Sequence, residues 1–314
     1  MLSERTVIVT GATGTIGQAL CKRLLAQNYR LIVLSRNPQK ARMLVEGAEQ
    51  YIFWEPTADS AGTPWRDALD GVYAVIHLAA APALGKRWTP AYKRVLYHSW
   101  AIGTRGIVHA LSTARQKPQV FVCASSVGYY GYRTRNASSI YDDYAAPGND
   151  LIAHLYKARE YEAVQATLVG IRTVMIRTGF LLAKTGELPR LVAATKHFAG
   201  GPILPGTQYR PWIHIDDEVE IIMMALENTR VRGAINAVAP EPTTEAQFMR
   251  TLRAILNQPF GLPSWSGILP ILFGESADIV TRGRSVIPRK LYELGYQFFY
   301  PSLTEALQDL LEIE

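Results

Sequence analysis

Residues 6–17 read TVIVTGATGTIG. Five β-branched residues in a row, with no polar alternation, suit a strand buried on both faces. Glycines at 11, 14 and 17 follow at once, and TIGQALCKRLLAQ places Ile16, Ala19, Leu20 and Leu24 on one helical face. Strand, glycine turn and helix in that order let the backbone approach a pyrophosphate, with helix N–H groups pointed at it. Gly11, Thr13, Gly14, Thr15, Ile16 and Gly17 are therefore the expected phosphate cradle.

The same alternation continues. Strands are expected at 30–35, 50–53, 72–79, 119–125 and 172–177, with helical stretches between them, notably at 90–116 and 149–168. Asn37-Pro38 starts one helix, Thr244 with Gln247 and Ser302 with Glu305 form capping boxes for two more, and Asp216 or Asp217 caps another. The fold class that follows is α/β, a Rossmann-type doubly wound parallel sheet. After about residue 180, Gly- and Pro-rich segments take over. The expected division is a Rossmann domain over 1–180, to which 213–239 returns, and a smaller substrate-binding region over 181–314.

Strand ends nominate the rest of the cofactor site, since ligands bind at the carboxyl edge of such sheets. After the second strand stand Ser35 and Arg36, with no acid to meet a ribose 2′-hydroxyl. An arginine there pairs with a 2′-phosphate, which points to NADP. Trp54, Leu78, Ala79, Ala80, Ser125, Arg177 and Gly179 complete the expected contacts.

Bulk properties narrow the class. The 314 residues are 48% hydrophobic and 19% charged, as a folded core requires. A net charge of +6 without a dense basic block suits anionic small molecules and not nucleic acid. Cys21 and Cys123 lie in apolar patterns, which argues against disulfides. The six histidines lack metal-ligand spacing, so no metal is expected. His214 reads as an anchor for the corner it shares with Asp216, and His77 as buried. No leader precedes the first strand, and no apolar run reaches the roughly 18 residues of a membrane helix. Cytoplasm is the expected compartment, and a homodimer is compatible with all of this.

Longer motifs carry a resemblance. VTGATGTIG, SRNPQKA, GVYAVIHLAA, SSVGYYG, RTGFLLAKTGELPRL, GGPILPGTQYRPWIHIDD, GAINAVAP and PRKLYELGYQFFYPSLTEAL occur in this order. Together they resemble the YfcH-type, sugar-nucleotide epimerase-like branch of the extended short-chain dehydrogenase/reductase superfamily. The resemblance runs from about residue 6 to about residue 308. It implies a Rossmann domain, NADP binding and a C-terminal substrate region, without fixing a reaction. Two stretches depart from the branch: AAAP lacks an acid at Ala81, and the later helix reads LYKARE.

Enzymes of the superfamily typically pair a tyrosine with a lysine four residues on. None of the 16 tyrosines here has that lysine. Tyr156 falls in the lysine's place and Ile152 in the tyrosine's. Ser125, Tyr129 and Tyr130 are the expected catalytic substitutes, with Arg133 or Lys157 as cations to lower a phenol's pKa, and Ser126 as a structural hydroxyl. Lys86, Arg87 and Trp88, together with Tyr209 and Arg210, are the expected substrate contacts. Two functions fit: an NADP-dependent oxidoreductase or epimerase acting on a polar carbonyl or hydroxyl compound, or a non-catalytic NADP(H) sensor that acts through a protein partner.

Overall fold

A computed structural model describes residues 5–56, 63–132, 139–197, 200–263, 271 and 274–312. Arg133 lies outside the described residues. The strands in chain order are β1 (Thr6–Thr10), β2 (Arg30–Ser35), β3 (Gln50–Phe53), β4 (Ala74–His77), β5 (Val120–Ser126), β6 (Ile140–Tyr141), β7 (Arg172–Thr178), β8 (Phe180–Leu182), β9 (Trp212–His214), β10 (Gly233–Ala237) and β11 (Ser285–Val286). Seven of them form one parallel sheet in the order β3–β2–β1–β4–β5–β7–β10. The order reverses beside β1, which opens the crevice where such sheets take a ligand.

The sheet has one core on each face. Val7, Val9 and Val33 pack with Leu20 and Leu24 on one side, while Ile8, Ile32 and Phe121 pack with Ile107 and Leu111 on the other. Neighbouring residues of β1 thus serve opposite faces, which is why that strand has no polar alternation.

The flanking helices that matter for the site are α1 (Thr15–Ala26), α2 (Pro38–Leu44), α3 (Gly103–Thr113), α4 (Leu151–Val164), α5 (Ile215–Glu227), α6 (Glu245–Ile255) and α7 (Leu303–Leu311). Asn37 caps α2 by accepting from the Lys40 N–H at 2.9 Å, with Pro38 following. Thr244 and Gln247 form a reciprocal capping box on α6. Ser302 stands at the start of α7 but makes no side-chain cap. The cap of α5 is neither Asp216 nor Asp217. Instead His214 Nδ1 accepts from the Asp216 N–H at 3.2 Å. Asp217 is turned inward to accept from the Phe299 and Tyr300 N–H groups and the Tyr296 hydroxyl.

Beyond residue 180, β8 pairs with β9, and β11 pairs with β6, both in parallel. A third apolar core joins Leu182, Trp212, Phe248, Leu252 and Leu307. No helix of the described residues is long and apolar enough to cross a membrane.

Candidate functional site

The glycine turn is built by contact. Gly11 has φ +71°, and a Cβ there would lie 2.6 Å from the Ala79 nitrogen. A Cβ on Gly17 would lie 2.3 Å from the Gly11 carbonyl oxygen, so α1 could not close onto the turn. Gly14 is exposed, and a Cβ there would touch only the Gly11 carbonyl, at 3.4 Å. The first two glycines to be explained serve the fold, while Gly14 faces outward. No side chain caps the N-terminus of α1, which leaves its N–H groups to an incoming anion. The turn is braced below: Thr10 Oγ1 bonds His77 Nδ1 at 2.7 Å and accepts from the Ala79 N–H at 3.2 Å. Gln18 donates to the Thr13 carbonyl at 2.9 Å, and Ile16 packs on the core.

Arg36 is exposed just past β2 and has no hydrogen-bond or ion-pair partner among the described residues. Ser35 Oγ accepts from the Asn37 N–H at 3.1 Å. Leu78, Ala79 and Ala80 sit at the carboxyl end of β4, with Ala80 exposed. Trp54 is placed differently from expectation. Its side chain is 4% exposed, edge-on to His77 with ring centres 5.7 Å apart, because so large an apolar ring gains more in the core than at a rim.

A cavity of about 380 Å³ adjoins the turn. Thr15 and Gly179 contribute from the sheet edge; Pro82, Ala83 and Leu84 come from the loop after β4. Ser126, Tyr132, Ile152 and Tyr156 also line it, as do Tyr209, Arg210, Arg282 and Arg284. Thr15 and Thr185 hydroxyls meet at 3.1 Å and join the glycine turn to the second region.

The hydroxyl on this cavity is that of Ser126, not Ser125. Ser125 is buried and donates to Glu160 Oε1 at 2.6 Å. Glu160, on α4, also takes Arg177 in a two-point pair, Nε to Oε1 at 2.9 Å and Nη2 to Oε2 at 2.8 Å. Burial works most strongly against the Arg177 charge, but the hydrogen bond and charge of Glu160 together with Tyr130 outweigh it and raise the pKa. Arg177 Nη1 donates to the Tyr130 hydroxyl at 2.9 Å and to the Asp143 carbonyl at 3.2 Å. Tyr130 is fully buried and donates to Asn236 Oδ1 at 2.6 Å, while the Tyr129 ring lies 3.6 Å beneath the Arg177 guanidinium. Burial pushes both phenols up in pKa. Ser125, Tyr130 and Arg177 thus form one buried network with half-buried Tyr129 against it, and none of the four lines the cavity. Successive residues of β5 face opposite ways, so a one-residue difference decides which serine reaches the ligand side.

Tyr156 is the tyrosine that sequence reasoning passed over. Its ring packs at a tilt of 33° against Trp100 with centres 4.5 Å apart, Trp100 belonging to a π-helical turn over His98–Ile102. A Cβ on Gly128 would sit 2.7 Å from the Tyr156 ring, so glycine there admits it. Burial raises the Tyr156 pKa, and the neighbouring Ser126 hydroxyl lowers it by less. Lys157 is exposed and does not line the cavity.

Of the expected substrate contacts, Tyr209 and Arg210 reach the cavity, and Lys86, Arg87 and Trp88 after β4 do not. Lys86 lies over the Tyr92 ring at 5.1 Å, and Arg87 reaches toward the Ile271 carbonyl at 3.5 Å. Trp88 is buried, donates to the Ala83 carbonyl at 2.8 Å and borders a separate hollow with Asp150 and Glu275. His214 is buried at the head of α5, with Nε2 3.3 Å from Asp309. Burial pushes the Cys21 thiol up to about 12, a packing residue with no reactive thiolate.

Residues 7–237 match the family model described as the NAD dependent epimerase/dehydratase family. The chain belongs to that family. Residues 266–310 match a second model, a domain of unknown function, DUF1731. The chain is 34% identical over 319 residues to the chloroplastic epimerase family protein SDR39U1 homolog of Arabidopsis thaliana, covering 99% of this chain and 88% of that one. It is 32% identical over 305 residues to epimerase family protein YfhF of Bacillus subtilis, covering 97% of each. A crystal structure of human SDR39U1, isoform 2, with NADPH superposes with a TM-score of 0.85 at 30% identity, covering 98% of this chain and 99% of that one. The resemblance carried by the motifs therefore holds. A chloroplastic relative also means that family membership does not assign a compartment.

Proposed function

We propose that this protein is an NADP(H)-dependent reductase of a polar carbonyl compound, with its reaction centre at Ser126 and Tyr156. The observation that carries the reading is that Ser126 and Tyr156 both line a cavity shared by the glycine-turn residue Thr15 and the strand-end residue Gly179. The cofactor part rests on the turn geometry, the free N-terminus of α1, the unpartnered Arg36 and the NADPH in the human relative. Gly11, Thr13, Gly14, Thr15, Ile16 and Gly17 would hold the pyrophosphate, and Arg36 with Ser35 the 2′-phosphate.

When bound, the reduced nicotinamide supplies a hydride. The chain's own part is orientation and the proton. Ser126 Oγ holds the carbonyl oxygen, and Tyr156 Oη gives it a proton, later regained from water. Tyr156 is protonated at neutral pH and so holds the proton that reduction consumes, while burial makes it a weak acid whose phenolate must be reprotonated from water as it forms. The same shift makes it a poor base, which favours reduction over alcohol oxidation or epimerisation.

Two measurements test the reading. Titration with NADPH and NADH is expected to show tighter NADPH binding, reduced at least tenfold by Arg36→Ala, on the scale of a charge-assisted pair. Equal affinity for the two, or an unchanged preference in the variant, removes the NADP assignment. Ser126→Ala and Tyr156→Phe are expected to bind NADPH normally and to lose its carbonyl-dependent oxidation.

A further inference from the structure

Charge on the cavity wall is unevenly spent. Arg210 is paired with Glu245 at 2.5 Å, Arg282 with Asp278 at 3.0 Å and Glu187 with Arg190 at 3.0 Å. Arg284 also lines the cavity, is 6% exposed, and has no carboxylate partner among the described residues. Its Nε donates to the Gly131 carbonyl and its Nη1 to the Tyr141 hydroxyl at 2.5 Å, with the Tyr141 ring 4.7 Å away. Those contacts fix the guanidinium plane, and Nη2 has no acceptor among the described residues. With Nε and Nη1 engaged, Nη2 is the nitrogen left to meet a ligand in the cavity that Arg284 lines.

The chain holds it there deliberately in a physical sense. A Cβ on Gly283 would overlap the Tyr209 carbonyl oxygen at 1.7 Å, so glycine brings this segment against Tyr209. A buried cation without a counter-ion is costly, and an anion entering the cavity would remove that cost. The cavity lining also carries apolar side chains, among them Val127, Ile152, Leu181 and Ile279.

We infer that Arg284 is the anion receptor of this cavity and that the substrate carries a single carboxylate on an otherwise apolar body. This rests on the reading of the cavity as the substrate site. One unspent guanidinium balances one charge, whereas a phosphate dianion or a diphosphate would leave negative charge uncompensated among apolar groups. The carboxylate on Nη2 would hold the rest of the molecule within the cavity that Ser126 and Tyr156 also line.

The test uses benzoate as the probe, with benzamide as its neutral counterpart and phenylphosphate as the dianion. Each is titrated calorimetrically into the NADP-loaded protein and the cofactor-free protein. Benzoate is expected to bind about tenfold or more tightly than benzamide, a gap that Arg284→Gln abolishes and Arg284→Lys partly keeps. Arg284→Lys also serves if the glutamine variant does not fold. Equal binding of benzoate and benzamide, absence of benzoate binding, or discrimination that survives Arg284→Gln overturns the inference. Phenylphosphate bound more tightly than benzoate overturns the single charge. If the protein fails to bind NADPH yet keeps benzoate discrimination, the reductase reading falls and the anion receptor stands.

Discussion

Replacing Ser125 separates the two roles that adjacent serines can play. Its hydroxyl donates to Glu160 at 2.6 Å, inside a network where Arg177 makes two bonds to the same carboxylate. A hydrogen bond to a charged group contributes about 1.5–3 kcal/mol. Ser125→Ala should fall near the lower figure, about 1.5 kcal/mol, because Arg177 Nε still satisfies Oε1. Glu160→Gln should cost more, about 3–5 kcal/mol, since it leaves a guanidinium whose side chain is 5% exposed without its counter-charge. Combining Glu160→Gln with Arg177→Met should cost less than the sum of the two single changes, because the second change removes the orphaned charge. Urea unfolding followed by circular dichroism reads all four proteins, with stability taken from the midpoint at constant slope. NADPH oxidation by folded Ser125→Ala should continue. The reasoning is refuted if Ser125→Ala keeps its unfolding midpoint and loses the reaction.

Two further outcomes follow from single contacts. Gly17→Ala should abolish NADPH binding while the protein still folds, because a Cβ there meets the Gly11 carbonyl at 2.3 Å and must displace α1 or the turn; fluorescence titration of NADPH checks it, and unchanged affinity contradicts it. Glu218, 1% exposed on α5, has its pKa raised by burial from 4.5 to about 8, against the smaller opposing effect of the bond from Thr178. The unfolded carboxyl releases its proton at lower pH than the folded one, so the stability that this carboxyl contributes is full below about pH 4.5 and is lost as pH climbs through about 8. The 3.5-unit difference corresponds to about 5 kcal/mol at most. Glu218→Gln should flatten that decline, and parallel pH profiles of wild type and variant would exclude the carboxyl as its source.

The sheet was legible because each cue was local. An unbroken β-branched run, three glycines and an amphipathic helix fix the first βαβ unit with little help from the rest of the chain. Asn37-Pro38 and Thr244 with Gln247 likewise cap within a few residues of themselves. The proposed reaction centre was not legible in the same way. Ser125 and Ser126 differ only in which face of β5 they occupy, and that depends on where Glu160 and Arg177 dock. Tyr129 and Tyr130 looked reactive because they follow the serines, yet Arg177 and Asn236 hold them inside. Tyr156 was visible as the residue in the lysine's place, but its contact with Ser126 needs the Gly128 opening and the Trp100 ring. Arg284 joins the cavity from more than a hundred residues away in the chain, and no short motif announces it. Trp54 shows the opposite error: a strand-end position suggested a ligand, while its size settled it in the core.

The most direct test compares the two serines in one assay. Wild type, Ser125→Ala, Ser126→Ala and Tyr156→Phe are each loaded with NADPH, checked for folding, and mixed with pooled carbonyl metabolites while nicotinamide absorbance is followed through a single turnover. The account predicts stoichiometric oxidation by wild type and by Ser125→Ala, and its loss in Ser126→Ala and Tyr156→Phe with NADPH still bound. Oxidation that survives both Ser126→Ala and Tyr156→Phe would contradict the assigned reaction centre. So would a wild-type protein that binds NADPH tightly and oxidises none of it, which would favour a cofactor sensor over a reductase.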